Sequence, residues 1–163
     1  MPVTDTLLAN NARYVESFHE DHHPVRPRLK LAVITCMDSR IDAFAALGLE
    51  IGDAHILRNA GGVVTESELR SLALSQRKMG TEEVLLIHHT DCGAHGLDDD
   101  ALASEIEADV GYRPTWPRTS FTDLDEDVRV SIARVRHCPF LTHREHVRGF
   151  VFDVDTGALR EVV

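Results

Sequence analysis

The chain has 163 residues, 43% of them hydrophobic, which suits one compact domain with a single core. Its 17 Lys and Arg against 27 Asp and Glu give a net charge of −10, which disfavours nucleic acid and anionic membranes as partners. The N-terminus has no basic stretch followed by an apolar one, and 3 cysteines cannot all pair within the chain. We therefore expect a cytoplasmic protein whose cysteines are thiols or metal-bound thiolates.

The N-terminal half is predicted to begin with a helix and continue into an alternation of strands and helices. The predicted elements are an amphipathic helix over Thr4–His19, a break at residues 22–27, and strands over Leu29–Thr35 and His55–Arg58. The β-branched character of the first strand is typical of a strand that is covered on both faces. Thr65 and Glu68 form a capping-box pattern, and the helix that begins there is predicted to end at Gly80.

The C-terminal half continues the alternation and closes with a hairpin. The predicted elements are a strand over Val84–His88, helices over Asp98–Val110 and Asp123–Val135, and hairpin strands over Val147–Val154 and Leu159–Val162. Strands that alternate with helices indicate an α/β fold with a mainly parallel central β-sheet flanked by helices. We therefore expect a single domain over residues 1–163, with an N-terminal helical arm over residues 1–24 and a C-terminal hairpin.

Three side chains that can bind a metal follow two of the buried strands. Cys36 follows the first strand, and His89 and Cys92 follow the third. The carboxyl ends of parallel strands meet at one edge of a sheet, which is where such folds bind ligands. Two thiolates and an imidazole suit zinc and leave a fourth position free. On residue types alone, buried thiols beside a core histidine explain the same pattern equally well.

The segment Cys36-Met37-Asp38-Ser39-Arg40, followed later by His89-Thr90-Asp91-Cys92-Gly93, resembles the β-class carbonic anhydrases. The turn Arg58-Asn59-Ala60-Gly61-Gly62 and the order of strands and helices extend the resemblance over most of the chain, which looks like the compact branch of the family. The resemblance implies that Cys36, His89 and Cys92 bind Zn²⁺. It also implies reversible hydration of carbon dioxide to bicarbonate and a proton, by attack of zinc-bound hydroxide.

Asp38 and Arg40 are, by the same resemblance, the catalytic pair of the site. Arg40 can hold the Asp38 carboxylate through two hydrogen bonds, which leaves a lone pair to accept the proton of the attacking hydroxide. Asp38 can also act as a fourth zinc ligand in a closed state, which we expect at lower pH. The alternatives are an ordinary salt bridge, or an Asp38 that caps a helix beginning near Ser39.

Small residues near the motifs are candidates for the substrate pocket. They are Ala60, Gly61, Gly62 and Gly93, and simple turn chemistry explains them equally well. His55, His88 and His95 are candidates for proton transfer, although each is also explained as a packing or surface residue, and Cys138 is expected to be a structural thiol. Larger family members carry a substrate-binding glutamine before the first zinc cysteine. The only glutamine here is Gln76, so we expect a differently lined pocket.

Two other functions and one assembly are compatible with the sequence. The same nucleophile in a narrow apolar pocket would also hydrolyse carbonyl sulfide or carbon disulfide. A non-catalytic zinc protein would result if Asp38 were a permanent fourth ligand. The resemblance implies a homodimer or a multiple of dimers in which the N-terminal helix embraces the partner, but the apolar stripe of that helix would also suit packing on its own core.

Overall fold

A five-stranded sheet forms the centre of the molecule, described here from a computed structural model in which residues 2–18 and 24–163 are placed. Its strands are β1 (Leu31–Cys36), β2 (Ala54–Asn59), β3 (Glu83–His89), β4 (Val147–Phe152) and β5 (Leu159–Val162). The order across the sheet is β2-β1-β3-β4-β5. β2, β1, β3 and β4 are parallel to one another, and β5 pairs antiparallel with β4 as the second strand of the hairpin. The predicted α/β class with a mainly parallel sheet is confirmed.

In the described part of the chain, five α-helices accompany the sheet, and side-chain caps set where several of them begin. They are α1 (Val3–Ser17), α2 (Ala43–Leu47), α3 (Glu66–Met79), α4 (Asp99–Val110) and α5 (Leu124–His137). The predicted capping box is present, with Thr65 as the N-cap of α3 and Glu68 bonded back to it. Asp98 and Asp123, predicted as the first helical residues, are instead the N-caps of α4 and α5. Their carboxylates accept hydrogen bonds from the first free backbone N–H groups.

In the N-terminal part of the chain, one helix boundary differs from the prediction and one helix is not predicted. α1 ends at Ser17 rather than His19, and residues 19–23, which include part of the predicted break, lie outside the described residues. The short helix α2 has no counterpart among the predicted elements. It begins at Ala43 behind its N-cap Asp42, so the alternative in which Asp38 caps a helix near Ser39 is wrong.

The core lies on both faces of the sheet. On one face, α3 and α5 cover strand residues such as Ile34, Leu86 and Val147. On the other face, Val33, Ile87 and neighbouring apolar side chains form a second cluster that includes two of the cysteines. Strand residues alternate between the faces, so the consecutive His88 and His89 point to opposite sides of β3. The candidate site therefore lies on the face opposite α5.

The first helix stands apart from this core. No residue of α1 is buried, and its apolar side chains are open to solvent, with Leu8 64% and Val15 61% exposed. Packing of the apolar stripe on the chain's own core, one of the two expectations for α1, is therefore not what the structure contains. Among the described residues, none of the helices has the length and apolar character needed to cross a membrane.

Candidate metal centre

Cys36, His89 and Cys92 come together at the carboxyl ends of β1 and β3. Cys36 is the last residue of β1 and His89 the last residue of β3, and these two strands are parallel neighbours. Cys92 follows in the turn after β3. The ligand atoms of the three residues all lie within 4.8 Å of one another, and all three residues are buried. The topology thus brings together the two segments that the sequence separates.

The His89 ring is oriented as a metal ligand requires. Its Nδ1 lies 2.8 Å from the Thr90 carbonyl oxygen. A carbonyl only accepts, so Nδ1 carries the proton and a neutral ring presents the lone pair of Nε2. Nε2 is buried and has no hydrogen-bond partner among the described residues. A buried polar atom without a partner is costly, and a cation held between the three side chains would satisfy it.

The spacing of the two thiols also fits a cation bound between them. Their Sγ atoms are 4.0 Å apart, close to the roughly 3.8 Å that two sulfur ligands adopt in a tetrahedral zinc site with bonds of about 2.3 Å. The hydrogen bond from Cys92 lowers the pKa of the Cys36 thiol, and the same contact, together with burial, raises the pKa of Cys92. Only one of the pair therefore ionises readily. A metal ion would let both be thiolates, so the donor set fits Zn²⁺.

Asp38 lies beside this cluster and is held by Arg40. The guanidinium donates from Nε to Asp38 Oδ1 at 3.0 Å and from Nη2 to Oδ2 at 2.8 Å. These hydrogen bonds keep the pKa of the Asp38 carboxyl well below its usual range. Asp38 Oδ2 is 3.9 Å from His89 Nε2, which places the carboxylate at the edge of the metal cluster while its main partner is Arg40.

A second arginine fixes the backbone of the Cys36–Asp38 segment. Arg58 donates from Nε to the Cys36 carbonyl oxygen at 2.8 Å and from Nη2 to the Asp38 carbonyl oxygen at 2.6 Å. The Met37 N–H donates to the Asn59 carbonyl oxygen at 2.8 Å. The end of β2 therefore holds the loop that carries the first cysteine, a role that the sequence pattern did not assign to Arg58.

The predicted pocket residues take two different positions. Ala60, Gly61 and Gly93 line a cleft of about 390 Å³ that opens beside Cys36 and Cys92. Gly62 lies beneath, at φ +72°, where a Cβ would be 2.9 Å from Cys36 N and 3.0 Å from the Ile87 carbonyl oxygen. Its missing side chain therefore allows the turn after β2 to pack directly against the ends of β1 and β3.

Two leucines add apolar walls to the cleft, at positions for which the sequence predicts no functional role. Leu97, Leu102 and Thr119 line it together with the residues above. No motif marks these positions, because any apolar residue on α4 or the segment before it would have looked like ordinary packing. They give the cleft the character that a small apolar substrate needs.

The candidates for proton transfer occupy unlike environments. His88 is fully buried on the opposite side of β3, where its Nδ1 lies 3.2 Å from Asp127 Oδ2. His55 Nδ1 is 2.7 Å from the Ser75 hydroxyl, and His95 Nε2 is 3.0 Å from the Thr122 carbonyl oxygen. The buried thiol of Cys138 lies in the core cluster beneath α3 and α5, away from the metal ligands.

Comparisons with known proteins agree with this geometry. A family model described as carbonic anhydrase matches residues 31–108. The chain is 48% identical to β-carbonic anhydrase 1 of Mycobacterium tuberculosis over 99% of both proteins. It is 30% identical to a carbon disulfide hydrolase of Acidithiobacillus thiooxidans, over 80% of this chain and 76% of that protein.

A solved structure gives the same answer for the fold. The crystal structure of a carbonic anhydrase from Streptococcus mutans superposes with a TM-score of 0.93 at 40% identity, covering 100% of this chain and 99% of that one. The similarity extends over the whole chain in sequence and in structure, so it does not rest on the short motifs alone. The chain belongs to the β-carbonic anhydrase family.

Proposed function

We propose that this chain hydrates carbon dioxide reversibly with a zinc ion held by Cys36, His89 and Cys92. Family membership supports the reaction and the metal. The observation that supports these three ligands is the convergence of their ligand atoms within 4.8 Å at the ends of β1 and β3. Three protein ligands leave the fourth position of a tetrahedral zinc ion free for chemistry.

Zinc supplies Lewis-acid activation of water near neutral pH, the chemistry for which carbonic anhydrases are the standard example. With the metal bound, Asp38 would orient the attacking water or hydroxide by accepting a hydrogen bond from its O–H group. Arg40 keeps this carboxylate ionised and bonds Oδ1 through its Nε and its backbone N–H. Oδ2 accepts only Nη2 from Arg40 and lies 3.9 Å from His89 Nε2, so it is the oxygen with a lone pair beside the metal cluster. Arg58 fixes the backbone on which Asp38 stands, which preserves that direction.

The cleft beside the ligands suits a small apolar molecule. Ala60, Gly61 and Gly93 leave the approach to Cys36 and Cys92 open, while Leu97 and Leu102 supply apolar walls. Carbon dioxide carries no group that needs a hydrogen-bond partner for entry, so apolar walls admit it without loss. The bicarbonate product is an anion and is disfavoured by the same walls, which promotes its release.

Hydrolysis of carbonyl sulfide or carbon disulfide is the second candidate, because carbon disulfide hydrolases are among the relatives of this chain. The carbon disulfide hydrolase shares 30% of its residues with the chain, whereas the mycobacterial carbonic anhydrase shares 48%. The larger identity favours carbon dioxide. A permanently closed, non-catalytic zinc site is less well supported, since Asp38 already has Arg40 as a bidentate partner.

Zinc content and carbon dioxide hydration, measured on the same preparations, test this proposal. We expect Cys36→Ser and Cys92→Ser to lose zinc and activity together, because a hydroxyl stays protonated where a thiolate must bind. Cys138→Ser is the matched control and should keep both. Turnover of carbonyl sulfide on the parent protein separates the two substrates. Full zinc occupancy in Cys36→Ser would refute the ligand assignment.

We also propose a homo-oligomeric, cytoplasmic protein in which residues 1–24 form an arm on a single domain. The exposed apolar side chains of α1 support a second copy of the chain as its partner. Three free thiols suit a reducing compartment. The net charge of −10 makes nucleic acid and anionic membranes unsuitable partners.

A further inference from the structure

Arg40 contacts the second ligand-bearing loop as well as the first. Besides its two bonds to Asp38, its Nη1 donates to Asp91 Oδ2 at 2.7 Å and its Nη2 donates to the Asp91 carbonyl oxygen at 2.9 Å. Four of the five N–H groups of a guanidinium are thus accounted for. One side chain therefore connects the loop that carries Cys36 to the loop that carries Cys92.

The backbone of Asp91 is shaped for this contact. Asp91 has φ +52°, in the left-handed region that side-chain-bearing residues other than Asn and Asp seldom adopt. This conformation turns the carbonyl oxygen and the carboxylate of Asp91 toward the same guanidinium. A turn that only had to reverse the chain between His89 and Cys92 would not need a carboxylate at this position.

We infer that Asp91 is a positioning residue of the metal centre, which acts through Arg40 to set the distance between the two cysteine loops and the direction of Asp38. The inference rests on the zinc site proposed above. Within the described residues, Arg40 forms ion pairs only with Asp38 and Asp91, so removal of the Asp91 carboxylate would free Nη1 and leave only the carbonyl contact to hold this loop. The guanidinium could then rotate, and Asp38 would rotate with it.

The Asp91–Arg40 ion pair is exposed, so its proposed role differs from a contribution to the stability of the fold. The Asp91 side chain is 79% exposed and that of Arg40 43% exposed. Exposed ion pairs add little to the stability of a fold because solvent and salt screen them. Their geometry can still orient a metal ligand, since changes to residues that support ligands commonly cost 10- to 100-fold in metal affinity or activity.

Two substitutions of Asp91 separate the side chain from the backbone. Asp91→Gly removes the side-chain hydrogen bond to Arg40 Nη1, keeps the backbone carbonyl that accepts from Nη2, and keeps the left-handed conformation without strain. Asp91→Asn instead keeps a side-chain acceptor for Nη1. The matched control is Glu161→Ala, which breaks another exposed bidentate bridge, to Arg148, far from the cleft. The readouts are the rate of zinc loss to a chelator, the visible spectrum of the Co²⁺-substituted protein, and hydration activity.

We expect Asp91→Gly to lose zinc about 10-fold faster than the parent, with a changed Co²⁺ spectrum and lower kcat/KM. Asp91→Asn should recover most of each effect, and Glu161→Ala should match the parent. In an Arg40→Ala background, Asp91→Gly should have no further effect, because the residue it acts through is gone.

Zinc loss and a Co²⁺ spectrum in Asp91→Gly within twofold of the parent would overturn the inference while the proposed function stands. The inference would also be overturned if Asp91→Gly accelerated zinc loss as much in the Arg40→Ala background as in the parent. A parent protein that neither holds zinc nor hydrates carbon dioxide would instead refute the proposed function.

Discussion

Cys36 can take its position in the site because Gly62, which packs against it, has no side chain. A Cβ at this position would be 2.9 Å from Cys36 N, 3.0 Å from the Ile87 carbonyl oxygen and 3.1 Å from Thr35 C. All three neighbours are backbone atoms at the ends of β1 and β3, and they cannot move aside independently. Any larger residue here must therefore displace the strand end that carries the first metal ligand.

We predict that Gly62→Ala lowers zinc affinity about 10-fold, since it shifts Cys36 relative to His89. The measurement is competition for zinc with a chromogenic chelator. Gly111→Ala is the control, because Gly111 has a similar φ of +75° but no atom within 4 Å of the added Cβ. Equal zinc affinity in the two variants would show that the close approach at Gly62 has no influence on the site.

Arg40→Ala should still bind zinc, because no ligand is removed, but it should lose zinc to a chelator at least as fast as Asp91→Gly. It should also lower hydration about 10- to 100-fold. Asp38 loses the partner that orients it and becomes free to turn toward the metal. With Arg40 present, the pKa of Asp38 lies well below its usual range, so Asp38 is ionised throughout about pH 6 to 9. A rise in activity over that range therefore comes from another group.

X-ray absorption spectroscopy at both ends of that pH range would show which atoms coordinate zinc in the Arg40→Ala protein. Arg40→Lys is the comparison, since it keeps the charge but not the two-pronged geometry. An Arg40→Ala protein that is as active as the parent throughout, with unchanged coordination, would contradict the role of the pair.

At the scale of elements, α5 owes its close approach to the sheet to Gly149 in β4. A Cβ there would be 2.3 Å from Val128 Cγ1 and 2.8 Å from Ile132 Cδ1, both on α5. Overpacking of this kind forces side chains off their preferred rotamers or moves the helix. The glycine thus sets how closely helix and strand pack beside β3.

We predict that Gly149→Ala lowers the free energy of unfolding by about 1–3 kcal/mol, measured by urea denaturation. Gly93→Ala is the control, because an added Cβ at Gly93 meets no atom within 4 Å. A Gly149→Ala protein as stable as the parent would mean that α5 can shift at no cost.

The sequence predicts the buried elements well and the small ones poorly. The strands appear within two residues of their predicted bounds, because a β-branched run between turn residues is seldom compatible with any structure but a buried strand. The helix α2 is not predicted, since five residues are too few for a helical period to be visible. The predicted start of α3 is correct because the Thr65–Glu68 capping box is a local device that tertiary contacts do not alter.

At the scale of the site, motifs identify the residues that could bind the metal but do not show which contacts keep those ligands in position. Cys36, His89 and Cys92 stand in a recognisable pattern, and the structure brings them together. Arg58 and Asp91 lie within the motif segments, where Asp91 could fix the ligand loop or simply form a turn. Their contacts, Arg58 with backbone carbonyls and Asp91 with Arg40, depend on the path of the backbone in space. The apolar residues of the cleft are likewise indistinguishable in sequence from core residues.

At the scale of the whole molecule, the exposed side chains of α1 predict an effect of truncation. Removal of residues 1–13 should give a species of smaller mass or poor solubility, because the proposed partner surface is left uncovered. Light scattering on freshly purified protein measures the mass. A truncated protein with the same oligomeric mass and solubility as the parent would show that α1 is dispensable for assembly.

The separation of the ligands along the chain also governs when zinc can enter. Cys36 and His89 are 53 positions apart (89 minus 36) and meet only when β1 and β3 are paired across the crossover that contains β2 and α3. Such non-local pairing is slow to form, and a chain in which it is missing offers no complete site. Zinc should therefore slow unfolding and leave the refolding rate nearly unchanged, a prediction that stopped-flow measurements with and without chelator can check. Bound metal would then stabilise the folded sheet against unfolding, and loss of the metal would shorten the lifetime of the folded chain.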